Sequence, residues 1–168
     1  MKLHSNISIN GKLYSKGMNI PWYMIYPFFM FHMLMFGGSG FFIAYGSDTD
    51  VPFLFMHGGI AILVYIIFYF TIFGVEQVKW MFTNAALGFL GIYSEIDWIL
   101  SRFDKHADDF EWYVHIVPFL YYVLYTFLLR QAVIDISGSR NNEQRMRFVN
   151  YAYVSLSLIV YLTILLSK

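Results

Sequence analysis

Cysteine is absent from this chain of 168 residues. Its absence excludes thiolate zinc sites, cysteine-held iron–sulfur clusters and disulfides, which all need sulfur ligands. Charge is scarce as well. Only 13% of residues are Asp, Glu, Lys or Arg, against about 25% in a typical soluble domain. The 11 basic and 11 acidic side chains balance, so no net field favours nucleic acid as a partner. There is no phosphate-binding P-loop, no GxGxxG fingerprint and no nucleophile elbow. Neither an internal repeat nor a low-complexity tract interrupts the chain.

Apolar and aromatic side chains fill the space left by charge. They make up 58% and 21% of the chain, including 14 Tyr and 18 Phe. A chain this short has too little interior to hide that surface from water, so lipid is the expected solvent. Residues 1–20 are polar by comparison, and the helical domain is expected over 21–168. The first twenty residues lack the apolar run and small-residue cleavage site of a signal peptide. Within them, Ser8-Ile9-Asn10-Gly11-Lys12-Leu13 carries the Asn-Gly signature of a tight hairpin. Ile7, Ile9 and Leu13 are expected to give that hairpin an apolar side. A lone hairpin is marginal in water, so it should rest on the membrane surface or on a partner.

Five hydrophobic segments follow, at about 22–45, 53–73, 81–101, 112–134 and 148–166. Each is near the roughly 20 residues that span a bilayer as a helix. With all five spanning and the N-terminus inside, the inner side holds Lys2, Lys12, Lys16, Lys79, Arg130, Arg140, Arg145 and Arg147. The outer side holds Arg102, Lys105 and Lys168, together with the acidic loops around Asp48/Asp50 and Asp104–Glu111. The positive-inside rule favours this arrangement over one in which segment 81–101 stays in the interface. Trp22 and Trp80 fall at inner ends, and Trp98 and Trp112 near outer ends, as an aromatic belt requires. The expected fold is therefore all-α: a polytopic, five-span, up-down transmembrane bundle with short connections and a short N-terminal hairpin. Pro27 and Pro118 lie inside spans, where kinks are tolerated. The expected location is a bacterial inner (cytoplasmic) membrane, with the N-terminus in the cytoplasm.

The stretch Asn84–Arg102 reads as the organising element, because it is the one apolar segment that carries two carboxylates. On a helix Asn84, Gly88, Gly91, Glu95, Trp98 and Arg102 share a face. Such a face wants protein beside it rather than lipid. Gly88-x-x-Gly91, Gly37-Gly38-x-Gly40 and Gly58-Gly59 read as seams where the first three helices approach one another.

Three sets of residues could carry chemistry. His57 and His115 lie at similar depth near the outer ends of the second and fourth spans, and facing histidines are what axial ligation of a b-type haem needs. Adding Glu95 and Asp97 to them gives a two-histidine, two-carboxylate set for a divalent metal. Glu95 alone, as an intramembrane carboxylate, points to transport or to a metal-dependent membrane enzyme. Each has a plainer explanation: a wet interfacial imidazole, or a carboxylate paired with Arg102 or a tyrosine hydroxyl. His32, Met30, Met33 and Met35 do not share a face, so they read as packing and not as a copper site. No catalytic residue stands out. On sequence alone the fitting role is a non-enzymatic accessory subunit of a larger membrane complex, with lipid and other membrane subunits as partners. Haem redox chemistry and a Glu95-centred transporter are the alternatives.

Overall fold

A computed structural model of the chain describes residues 2–9, 11–46 and 50–166. Asn10 of the hairpin turn, Asp48 of the acidic loop and Lys168 lie outside the described residues. Among the described residues the regular structure is helical, apart from one two-stranded hairpin and an isolated bridge between Lys2 and Asn19. Strands β1 (Ile7–Ile9) and β2 (Lys12–Tyr14) precede helix α1 (Trp22–Tyr45). Helix α2 (Val51–Phe73) follows, and then the two short helices α3 (Val75–Leu87) and α4 (Phe89–Ser101). Helices α5 (Trp112–Ile136) and α6 (Glu143–Leu166) complete the chain. Helices α1, α2, α5 and α6 are long and apolar enough to cross a membrane.

The third hydrophobic segment differs from the single helix expected of it. It is broken at Gly88, where the backbone leaves helical geometry (φ −92°, ψ 8°). Glycine is the poorest helix former after proline, so the break falls where the chain resists least. Each half has 13 residues, about 20 Å of helix, which is short of a bilayer's roughly 30 Å. The halves nevertheless run in series along α5. Gln77 meets Gln131 (3.3 Å), Phe89 packs on Phe119 (5.2 Å between ring centres) and Tyr93 on His115 (5.7 Å).

Helix α5, not the stretch Asn84–Arg102, is the centre of the bundle. Two of the three glycine seams close on it, through Gly37, Gly40 and Gly58, whereas Gly91 of the third faces Tyr161 of α6. A Cβ on Gly37 would meet Tyr121 at 3.2 Å, one on Gly40 would meet Tyr121 and Val117 at 3.7 Å, and one on Gly58 would meet Val117 at 2.4 Å. Small residues on α1 and α2 thus let those backbones approach the bulkier face of α5. Tyr69 of α2 adds a buried bond, donating to the Leu124 carbonyl at 3.0 Å. Within α2 the turns at Phe55–Gly59 widen to π-helix. By contrast, α6 buries only Val149 and Ile164.

Two polar clusters tie the helix ends. At one end the Tyr26 hydroxyl donates to Asp135, and Arg140 binds the same carboxylate twice, at 2.5 and 3.0 Å. Arg140 also reaches Gln131 at 3.0 Å. Burial alone would lower the Arg140 pKa, but the Asp135 carboxylate outweighs it and the shift is upward. At the other end Lys105 donates to the Tyr45 carbonyl at 2.5 Å, and the Tyr45 hydroxyl meets His115 at 2.7 Å.

The N-terminal segment packs on the first of these ends. His4 N donates to the Thr71 carbonyl (3.1 Å), and Leu3 and Ile20 are buried. Gly74 makes the α2–α3 turn at φ +86°, where a Cβ would also strike the His4 ring at 2.7 Å. Hairpin register pairs Ile7 with Tyr14 and Ser8 with Leu13. Leu13 therefore lies on the opposite face from Ile7 and is exposed, unlike the shared apolar side expected from the sequence. Ile7 and Tyr14 are the pair that packs on the core.

Candidate functional site

A cavity of about 490 Å³ opens between the α3–α4 pair, α5 and α6. Its polar walls come from three helical stripes. Asn84, Gly88, Gly91 and Glu95 line one wall, stepping by three or four residues. Tyr122, Thr126 and Arg130 line the second at spacing four, and Asn150, Tyr153, Ser157 and Tyr161 line the third. The small polar face read from the sequence therefore faces protein as far as Glu95. Its continuation does not: Trp98 and Arg102 lie beyond the cavity, with the Arg102 guanidinium stacked over the Trp98 ring at 4.6 Å.

Two charged groups stand at different levels of this cavity. Glu95 accepts a hydrogen bond from the Tyr122 hydroxyl, so its nearest partner is a tyrosine and not Arg102. Arg130 donates to the Asn150 side chain at 2.8 Å. Among the described residues neither charge has an ion-pair partner; the ion pairs are Lys79–Glu76, His106–Asp97, Arg140–Asp135 and Arg147–Glu143. Thr126 spends its hydroxyl on its own helix, bonding the Tyr122 carbonyl at 2.9 Å. Gly91 leaves ordinary contact distance, 3.8 Å, between a would-be Cβ and the Tyr161 ring. The result is a roomy pocket, apolar over most of its lining, with a few convergent polar groups, as ligand sites commonly are.

Of the histidines and carboxylates singled out from the sequence, the fold brings Asp97 and His115 to one residue, Ala107, and places His57 and Glu95 elsewhere. His57 bonds Ser39 through Nε2 (2.9 Å) and stands among the rings of Phe36 and Phe53. Buried His115 uses both ring nitrogens, Nδ1 with the Tyr45 hydroxyl (2.7 Å) and Nε2 with the Ala107 carbonyl (3.1 Å). With Nε2–H donating to the carbonyl, Nδ1 must accept from Tyr45, and no lone pair is left for iron. This arrangement does not fit axial haem ligation by His57 and His115. Asp97 accepts from the Ala107 N–H (2.9 Å) and lies 3.5 Å from His106, so it braces the 107–109 turn. Among the described residues no three His, Asp or Glu side chains gather closely enough to hold a metal ion. Asp97 and His115 thus hold the same residue, Ala107, from its N–H and its carbonyl, while His57 and Glu95 serve two other local structures.

Sequence reasoning missed Tyr122, Asn150, Ser157 and Tyr161 as cavity residues. The readable signal was the 150–153–157–161 spacing in the last segment, whose residue types are also common on any membrane helix. Comparison of the chain with family models, curated proteins and solved structures returns no match.

Proposed function

We propose that the chain is an integral membrane protein that binds a small polar solute in the cavity lined by Glu95 and Arg130, as a transporter-type binding protein does. One observation carries this reading: Glu95 and Arg130, each without a counter-ion among the described residues, line the same cavity. Charged groups at hydrocarbon depth are costly and tend to mark substrate paths. The reading includes five spans, with α3 and α4 crossing together as one bent unit. Their serial pairing with α5, from Gln77–Gln131 to Tyr93–His115, supports it. It also includes a cytoplasmic N-terminus, supported by the cluster of Lys2, Lys12, Lys16, Lys79, Arg140, Arg145 and Arg147 at one end of the bundle. A bacterial inner membrane remains the proposed location.

A role as accessory subunit is the second reading. It draws on α6, which buries only two residues and offers its outer face to lipid or to a partner helix.

The test of the first reading is water access. Ser157 lines the cavity, and Ile159 is 60% exposed, about 200° away around the helix. In the cysteine-free chain, Ser157→Cys should react with a hydrophilic thiol reagent while Ile159→Cys in lipid should not. Equal inertness of both would mean a dry cavity and would end the solute-binding reading.

A further inference from the structure

The chemical class of the ligand follows from how the two charges are spaced, and this step rests on the solute-binding reading above. Tyr122, which holds Glu95, and Arg130 lie on one helix eight residues apart. At 1.5 Å per residue that is about 12 Å along the axis. The site is therefore two-ended, and the ligand's own charged groups must stand apart along it, each meeting its partner through a charge-assisted hydrogen bond of about 3 Å.

We propose that the cavity takes a zwitterion, with its cationic group on Glu95 and its anionic group on Arg130. A simple lipophilic cation would suit Glu95 and the aromatic wall of Trp80, Phe127 and Tyr161. It would leave the Arg130 guanidinium facing the occupied cavity without an anion. A lone anion would leave Glu95 in the same position. A charge shut away from water without a counter-charge is costly, and only a ligand of both signs satisfies the two ends together. An ω-amino acid and a phosphoethanolamine lipid headgroup share this chemistry.

The experiment is calorimetric titration of the purified full chain with ω-amino acids from β-alanine to 7-aminoheptanoate. Pentylamine and pentanoate serve as single-charge controls. The zwitterion of best-fitting length should bind at least tenfold tighter than either control. Glu95→Gln should bind that zwitterion no better than pentanoate, and Arg130→Gln no better than pentylamine. Repeating the titration in nanodiscs identifies the source. Weaker apparent binding in phosphatidylethanolamine than in phosphatidylglycerol assigns a lipid headgroup, and equal binding assigns a soluble solute. Controls that bind wild type as tightly as every zwitterion overturn the zwitterion and leave the solute-binding reading standing. If none of the compounds binds, both readings fall. The wild-type comparison decides the matter even where a variant does not fold.

Discussion

Gly58→Ala is the sharpest perturbation of the helix packing. Built on the observed backbone, the new methyl would sit 2.4 Å from Val117 Cγ1 and 3.6 Å from Cβ and Cγ2. Carbon atoms pack at about 3.5–4 Å, so α2 and α5 must separate by about 1 Å or Val117 must rotate out of place. Overpacking of this kind costs about 1–3 kcal/mol. Replacing glycine by alanine in a helix returns up to about 1 kcal/mol through backbone entropy. Gly59 next door offers the control, since nothing lies within 4 Å of its would-be Cβ. Gly59→Ala should be neutral or stabilising, and Gly58→Ala should be less stable than it by about 2 kcal/mol. Trimming the partner relieves the clash, so Gly58→Ala combined with Val117→Ala should cost less than the two changes summed. Unfolding in detergent, followed by circular dichroism for wild type, the three single variants and the double variant, reads all of this. Equal stability of the two alanine variants, or strict additivity of the pair, would refute the close approach of α2 to α5.

Two further outcomes follow from the polar groups. Asp135→Ala removes the acceptor of both Tyr26 and Arg140; its side chain is only 7% exposed, and loss of such a partner should cost about 3 kcal/mol in the same unfolding assay. Glu143→Ala breaks an ion pair whose side chains are 81% and 69% exposed and should change stability by less than about 0.5 kcal/mol; equal effects of the two would disprove the clamp. Gly91→Ala should be tolerated, because its methyl would meet Tyr161 at an ordinary 3.8 Å. Gly91→Leu should fill the cavity and slow thiol labelling of Ser157→Cys at least tenfold. Unchanged labelling would show that Gly91 does not face the space around Ser157.

The helical class and the four long apolar helices were legible because their signal is local: length, hydropathy and the Asn-Gly turn each act over a few residues. The polar face Asn84–Gly88–Gly91–Glu95 was legible for the same reason, as a period of three and four. Partner choice was not. Gly37, Gly40 and Gly58 announce close approach, but only the fold says that Tyr121 and Val117 of α5 fill the space. The break at Gly88 escaped because one glycine in an apolar segment is compatible with a continuous helix. Same-depth placement brought His57 and His115 together on paper. Depth fixes one coordinate and leaves the angle around each helix free, and the rings turn to Ser39 and to Tyr45 instead. Leu13 was assigned to the wrong face because hairpin register, which sets the alternation, depends on the turn.

In the proposed five-span topology α3 and α4 cross the bilayer together and so carry Glu95 to membrane depth. The most direct test is side-specific labelling of single cysteines at Asp104, just after α4, and at Asn142, just before α6. In sealed, oriented membranes the account predicts that an impermeant thiol reagent added outside reaches Asp104→Cys and not Asn142→Cys. Labelling of Asn142→Cys with protection of Asp104→Cys would mean that α3 and α4 do not cross, and would contradict the account.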